Sequence, residues 1–296
     1  MVRRRAIIDI GSNSIKTLIF EPDNAAIVSQ SSVIGHLARG QSKSGELSQA
    51  AIMRNLELLH NAVQQCLDMQ VTDIRMYATG ALRKASNADQ FISLWQEREI
   101  YPIKILSAAD EAILSYQAAS SLATVFPVLC FDLGGGSLEL SLGDQSKPGF
   151  VHSYSWGALA LEERLGSTYP ITPESITAFT KYLEQQIDPM LVGRNCKSVI
   201  GVGGTVLCLK ALELGEWNEA RINGSVLDMK TLERLIDELS AMHLSEISTL
   251  GGMQQGRESL VLPAALVCRQ ILLSCQKDTI LLSSLGWRHA LAMQIA

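Results

Sequence analysis

Short apolar runs bounded by glycine and small polar residues alternate along this chain with longer segments whose apolar positions recur every three or four residues. Ala6–Ile10 and Lys16–Phe20 read as two strands joined by the turn cluster Gly11-Ser12-Asn13. Ile52, Leu56, Leu59, Val63 and Leu67 return at helical spacing and predict a helix over Leu47–Leu67. Ile74–Ala78 reads as a strand, Ala88–Trp95 as a helix and Ile103–Leu106 as a strand. Ser107, three residues before Asp110, has capping-box spacing and opens the next helix. Val128–Phe131 and Leu138–Leu142 are strands around a second glycine turn. Thr172-Pro173 reads as an N-cap with proline at the first helical position, ahead of a helix to Ile187. Val199–Val202 is a strand running into Gly203-Gly204, with a helix from Thr205. Glu258–Cys275 reads as a helix disturbed at Pro263, and Thr279–Leu282 as a closing strand. Alternation of this kind predicts an α/β protein.

The pattern also repeats. Asp9-Ile10-Gly11-Ser12-Asn13-Ser14 and Asp132-Leu133-Gly134-Gly135-Gly136-Ser137 both fit Asp-apolar-Gly-x-x-Ser, and each lies between two strands. The second begins 123 residues after the first, about one domain length. Two similar α/β domains are expected, residues 1–121 and 122–296, each opening with the same strand–turn–strand unit. Ser120–Thr124, mostly small and hydroxylated, is the best candidate for the junction.

Composition narrows the function. Of the 296 residues, 47% are hydrophobic and 19% charged, which is globular and excludes a disordered chain. The net charge of −5 excludes coating of nucleic acid by bulk charge, so an anionic ligand needs a local site. Six cysteines without a CxxC pair argue against a disulfide framework or structural zinc, and Cys66, Cys130, Cys208 and Cys268, in apolar stretches, read as buried thiols. The five histidines show no HxxxH or HxH spacing, which leaves a His metal site or Ser-His-Asp triad only by long-range assembly. Asp9 interrupts the apolar stretch after Met1–Arg5 too early for a signal-peptide core. No apolar run is long enough to predict a transmembrane helix. A soluble, cytoplasmic enzyme or binding protein with no membrane partner is expected. The apolar patterns fix no oligomeric state, and a homodimer is among those they allow.

A glycine-rich hairpin presents backbone N–H groups with no side chains in the way, an array that binds phosphate oxygens. An aspartate at the strand end would repel phosphate unless a divalent cation lay between them, and Mg²⁺ is commonly held by one or two carboxylates plus phosphate oxygens. Asp9 and Asp132 are the metal candidates. Gly11, Ser12, Asn13, Ser14, Gly134, Gly135, Gly136 and Ser137 are the phosphate candidates, with Lys16 a weaker one. Each loop alone is equally a tight hairpin, since Asp and Gly are ordinary turn residues. Two in matched context favour the phosphate reading, with the loops facing each other across a cleft. Gly203 and Gly204 lie between a strand and a helix, where a helix N-terminus can approach a phosphate or nucleotide, or simply turn the chain. Glu139 shares a strand face with Ser137 and either addresses the metal or faces solvent.

Asp9–Ser14, Ala78-Thr79-Gly80-Ala81-Leu82-Arg83 with Asn87, Asp110-Glu111-Ala112, Asp132–Ser137 with Glu139, and Gly201–Thr205 occur in a telling order. That order resembles the exopolyphosphatase/guanosine pentaphosphate phosphohydrolase (Ppx/GppA) family, within the actin-like ATPase superfamily. Arg257 and Ser284-x-Gly286-Trp287-Arg288 look like that family's closing segments. The resemblance implies two ribonuclease-H-like domains flanking a cleft, Mg²⁺ as cofactor, and hydrolysis of a terminal phosphoanhydride. The substrate implied is inorganic polyphosphate or guanosine pentaphosphate. It implies Glu111 as the base that deprotonates the attacking water, a role worth about 10²–10⁴ in rate. Arg83 is implied as a phosphate-binding guanidinium. The residues alone leave both open: an acid in the first turn of a helix is favoured by the helix dipole, and an arginine is common on any surface.

Leu138, Ala108, Asp110, Ile113 and His289 depart from the family's usual residues. Leu138 replaces a hydroxyl donor after the glycine run. Two other readings stay open on these residues. One is an ATP-dependent small-molecule kinase, for which no acceptor-site motif is visible. The other is a sensor that binds polyphosphate or guanosine tetraphosphate without hydrolysis, against which Glu111 stands.

Overall fold

Arg5–Ile10 (β1) is a nearly continuous apolar run because the strand is covered on both faces. Ala6, Ile8 and Ile10 pack into one core, while Ile7 packs into another with Leu18 and Phe20. The computed structural model describes residues 3–145, 147–166 and 168–295. Met1 and Val2 of the basic start lie outside the described residues.

β1 continues into Ser14–Phe20 (β2) and Ile27–Ile34 (β3) as an antiparallel meander. The short helix Gln41–Ser44 (α1) and the long Gln49–Asp68 (α2), capped by the Ser48 side chain, lead to Asp73–Ala78 (β4), parallel to β1. Gly80–Lys84 (α3) and Ala88–Gln96 (α4) then lead to Ile103–Ile105 (β5), parallel to β4. The sheet order is β3-β2-β1-β4-β5. Ala108–Ala119 (α5) follows, with Ser107 accepting a hydrogen bond from the Asp110 amide as the capping spacing predicts. Ser120–Leu122 is a tight 3₁₀ turn.

The plan is then repeated. Val128–Leu133 (β6), Leu138–Gly143 (β7) and Pro148–Tyr154 (β8) form a second antiparallel meander. Ala158–Leu165 (α6) and Pro173–Leu191 (α7) lead to Ser198–Val202 (β9), parallel to β6. Gly204–Leu214 (α8), Glu219–Ile222 (α9), the edge strand Val226–Asp228 (β10), Met229–Ala241 (α10), Leu244–Ile247 (α11) and Val261–Cys275 (α12) precede Thr279–Ser283 (β11). β11 is parallel to β9, and the order is β10-β11-β9-β6-β7-β8. Read from β8 inward, this is the first sheet's order with one antiparallel edge strand added. The expected α/β fold of two ribonuclease-H-like units is the fold found.

Trp287–Ile295 (α13) returns to the first sheet. Trp287, Ala290 and Ala292 pack with Ile7, Leu18 and Phe20, and with Leu106, Leu114 and Ala118 beside α5. The other face of α5 presents Tyr116 and Ala119 to Val128, Cys130, Ile200 and Val202 of the second sheet. All six cysteines are free and buried, the four read as buried thiols among them. Pro263 differs from expectation. It is the third residue of α12, in the first turn, where its missing N–H has no helical partner to lose, so it helps start the helix. Glu258–Leu260 are outside that helix. No helix among the described residues is long and apolar enough to cross a membrane.

Candidate active site

The two glycine hairpins close the same way. Gly11 N donates to Ser14 O at 3.1 Å, and Gly134 N to Ser137 O at 3.0 Å. Each turn is then pinned by amides from a neighbouring segment. Gly35 N and His36 N donate to Asn13 O, and Ala38 N to Ser12 O. Ala158 N and Leu159 N, the first turn of α6, donate to Gly134 O and Gly135 O. The loops touch. A methyl group added at Gly135 would lie 2.8 Å from Asn13 Cβ, and one at Gly136 would overlap Ser12 Oγ. Lys84 Nζ donates to Gly136 O and, at 2.9 Å, to Ser155 O, so it fastens the second loop to α3.

Beside the loops lies a cavity of about 320 Å³. Its wall includes Asp9, Gly11, Ser12, Asn13 and Ser14 from the first hairpin and Asp132, Gly134, Gly135, Gly136 and Ser137 from the second. Gly203, Gly204 and Glu111 complete it. Gly203 has φ +110°, and a side chain there would strike Leu133 O, which explains a glycine at the strand-to-helix turn.

Arg83 and Glu139 are not on the cavity wall. They stand behind Glu111. Arg83 Nη1 donates to Glu111 Oε2 at 2.9 Å and to Leu106 O at 2.9 Å, while Nη2 is 3.8 Å from Glu139 Oε1. Glu139 is 2% exposed and also accepts from Ser153 Oγ. Burial pushes the Glu111 carboxyl up to about 7, against the opposing pull of Arg83. Burial also holds Glu139 well above the carboxylate range, and the nearby Glu111 and Asp132 add to the shift.

The aspartates differ. Asp132 accepts from Ser115 Oγ at 2.7 Å. Asp9 is 5% exposed, its Oδ1 has no hydrogen-bond partner, and burial raises its pKa against Lys16 and Arg288. Arg288 Nε is 4.0 Å from Asp9 Oδ2, and its buried Nη1 has no partner. Asn13 Nδ2 is likewise buried and unpartnered. Lys16, Arg257 and Arg288 all line the cavity. Burial lowers the pKa of each, because the charged form loses its hydration, and at Lys16 and Arg288 the nearby Asp9 and Asp132 oppose the shift. Unpartnered donors of Asn13 and Arg288, buried cations and one unpartnered carboxylate oxygen of Asp9 thus come together around one void. Among the described residues, no three His, Cys, Asp or Glu side chains form a closed ligand set.

The family model described as the Ppx/GppA phosphatase family matches residues 18–296. The chain belongs to that family. Two solved structures share the fold. The Aquifex aeolicus Ppx/GppA family member is 23% identical with a TM-score of 0.82, over 99% of this chain and 97% of that one. An exopolyphosphatase from Cytophaga hutchinsonii is 20% identical with a TM-score of 0.90, over 99% and 98%.

In this member of the Ppx/GppA phosphatase family, sequence reasoning missed one wall of the cavity. Gln30, Ser31 and Ser32 on β3, together with Trp217, Glu219 and Gln254, line it. β3 is mostly exposed and polar, so it gives no strand signal, and the other three stand in or beside connecting turns. Arg257 and Arg288 were visible only as family-like segments. A glycine–aromatic–arginine run opening the last helix is the signal that could have marked Arg288 for the site. Leu138, the departure after the glycine run, is fully buried in the core with Leu133 and Leu140, off the cavity wall.

Proposed function

We propose that this chain is a Mg²⁺-dependent phosphohydrolase that releases terminal orthophosphate from inorganic polyphosphate, from guanosine pentaphosphate, or from both. The observation carrying this reading is Glu111, a buried carboxylate facing both glycine hairpins across one cavity and poised near pH 7. A general base works best with its pKa near the operating pH. Residues 1–121 and 122–296 act as two domains, each supplying one hairpin, with the exception of α13, which packs on the first sheet.

In this reading the hairpin amides cradle the terminal phosphate, and Lys16, Arg257 and Arg288 neutralise the chain behind it. Glu111 takes a proton from a water placed for attack on the terminal phosphorus. The P–O bond to the rest of the chain breaks, and the shortened chain leaves as an anion. Arg83 orients the Glu111 carboxylate and keeps its basic form in reach. Glu139 holds Arg83 from behind, and we assign it that role ahead of metal binding because it does not reach the wall. Mg²⁺ fits the orphaned Asp9 Oδ1 with Asp132, and when bound would neutralise phosphate charge.

Phosphate release is measured with Mg²⁺ on short and long polyphosphate, guanosine pentaphosphate and ATP, alongside Glu111→Gln. A drop of about 10²–10⁴ in turnover on polyphosphate or pentaphosphate supports the reading and names the substrate. No release by the parent from any of the four removes it. In the parent, turnover should rise as pH increases through about 7, where Glu111 loses its proton. The linked stability runs the other way. The folded chain keeps that proton above the ordinary 4.5, so this stabilisation is complete below about 4.5 and lost as pH rises through about 7. Thermal unfolding of Glu111→Gln should therefore gain on the parent at pH 8 relative to pH 5.

A further inference from the structure

Gly35 and His36 follow β3 and are held from behind by α2. Gly35 O accepts from Arg54 Nε at 2.9 Å, from Arg54 Nη2 at 2.7 Å and from Asn55 Nδ2 at 2.9 Å. Anchored there, the pair grips the first hairpin at one residue. The Gly35 and His36 amides both donate to Asn13 O at 2.9 Å. The His36 ring reaches the Asn13 side chain as well, with Nδ1 2.9 Å from Oδ1. His36 does this at φ 48°, in the left-handed region that glycine adopts most easily. Glycine would relax that backbone but could not reach Asn13 Oδ1.

The bond has a direction. An amide oxygen only accepts, so the proton of a neutral His36 ring sits on Nδ1. Burial, with Arg39 and Arg54 nearby, lowers the ring's pKa and favours that neutral form. Fixing Oδ1 also fixes Nδ2, because the two are opposite ends of one planar amide. That nitrogen is buried and has no partner, and Asn13 lines the cavity whereas His36 does not. The reverse orientation would exchange this donor for an acceptor. In the second hairpin Gly136 stands at the place of Asn13, so the donor has no counterpart there.

We infer that His36 is a positioning residue: its Nδ1–H holds the Asn13 amide so that Nδ2 is presented to a phosphate oxygen in the cavity. This role rests on the phosphate-binding cavity proposed above, and not on hydrolysis. A side chain oriented in advance spares the ligand the cost of ordering it, worth about two- to tenfold in Kd.

Nitrogen-15 spectra of the histidine-labelled chain show which His36 nitrogen carries the proton, with His36→Asn assigning the signal. A protonated Nδ1 and a bare Nε2 are expected. A bare Nδ1 means that the Asn13 amide is reversed, and overturns the assignment. Tripolyphosphate binding is then followed by calorimetry in the Glu111→Gln chain, so that turnover does not consume the probe. His36→Gly suits the same φ but lacks the ring, and should weaken binding about two- to tenfold. His36→Asn tolerates that φ and carries an amide N–H in place of Nδ1–H, so it should restore binding. Asn13→Ala should weaken binding about tenfold or more, and His36→Gly added to it should change nothing further. Equal losses from His36→Gly with and without Asn13 make the ring merely structural and overturn the assignment. So does unchanged binding in His36→Gly, or no binding in any chain. Circular dichroism reports whether each variant folds, and the nitrogen-15 spectrum of the parent decides if His36→Gly does not. An intact coupling in a chain whose parent releases no phosphate removes only the hydrolase reading. Release by the parent without the coupling removes only the role of His36.

Discussion

The two glycine hairpins share one backbone and differ in what surrounds it. Both close with the same amide-to-carbonyl bond, both have their turn carbonyls pinned by a neighbouring segment, and both place an aspartate at the end of the preceding strand. The first hairpin carries side chains, Ser12 and Asn13, and its Asp9 is buried with one free oxygen against Lys16 and Arg288. The second is bare glycine where the first presses on it, and its Asp132 is half-buried and steadied by Ser115. The repeat therefore builds the same hairpin backbone twice, while a buried aspartate with a partnerless oxygen and two cationic neighbours stands at the first.

The aspartates test that asymmetry most sharply. Asp9→Asn and Asp132→Asn should each lower Mg²⁺-dependent turnover by about 10–100-fold or more. Only Asp9→Asn should also lower the melting temperature, because it leaves Lys16 and Arg288 buried with less compensating charge. Equal melting temperatures for the two variants would remove the asymmetry. Arg288 approaches the first hairpin, its Nε 4.0 Å from Asp9 Oδ2. Arg288→Gln should raise KM for phosphate substrates roughly tenfold or more, as expected for one charge-assisted hydrogen bond, and change kcat less. A kcat loss at constant KM would place Arg288 away from the ground-state anion.

The contact between the hairpins is the next comparison. Gly136→Ala forces a methyl onto Ser12 Oγ and should destabilise by about 1–3 kcal/mol in thermal unfolding. Gly134→Ala meets only Ser137 O at 3.4 Å and should melt near the parent. Ser12→Gly added to Gly136→Ala should recover most of the loss. The smallest effect on turnover belongs to Leu138→Thr. It restores a hydroxyl beside the loop, but at a core position, so kcat/KM should stay within about twofold while stability falls by about 1–3 kcal/mol.

The hairpins were legible because their chemistry is local: strand, turn residues and strand fall within a few positions. Asp9 and Asp132 were placed by the same logic. Glu111 was not decidable from the residues, since a first-turn acid serves a helix equally well. Only the resemblance singled it out, and only the fold places it opposite both loops. Arg83 was implied as a phosphate ligand by the resemblance alone; the fold adds what no motif shows, its hydrogen bond to Glu111 and its approach to Glu139. β3 and β8 went unread for a physical reason. β3 is an edge strand with few buried positions, and β8 opens with Pro148 and Gly149. The cations at Arg257 and Arg288 reach the cavity from far along the chain, a relation that no local period encodes.

The return of α13 to the first sheet has a consequence for folding. Asp9 sits on β1 and Arg288 on α13, so the cavity wall is completed by residues far apart in the chain. Contacts of such sequence separation form late. Until α13 docks, Ile7, Leu18 and Phe20 lack part of their apolar cover, and Asp9 lacks one of its two cationic neighbours. A chain cut before α13 would therefore present both hairpins beside an unfinished cavity wall.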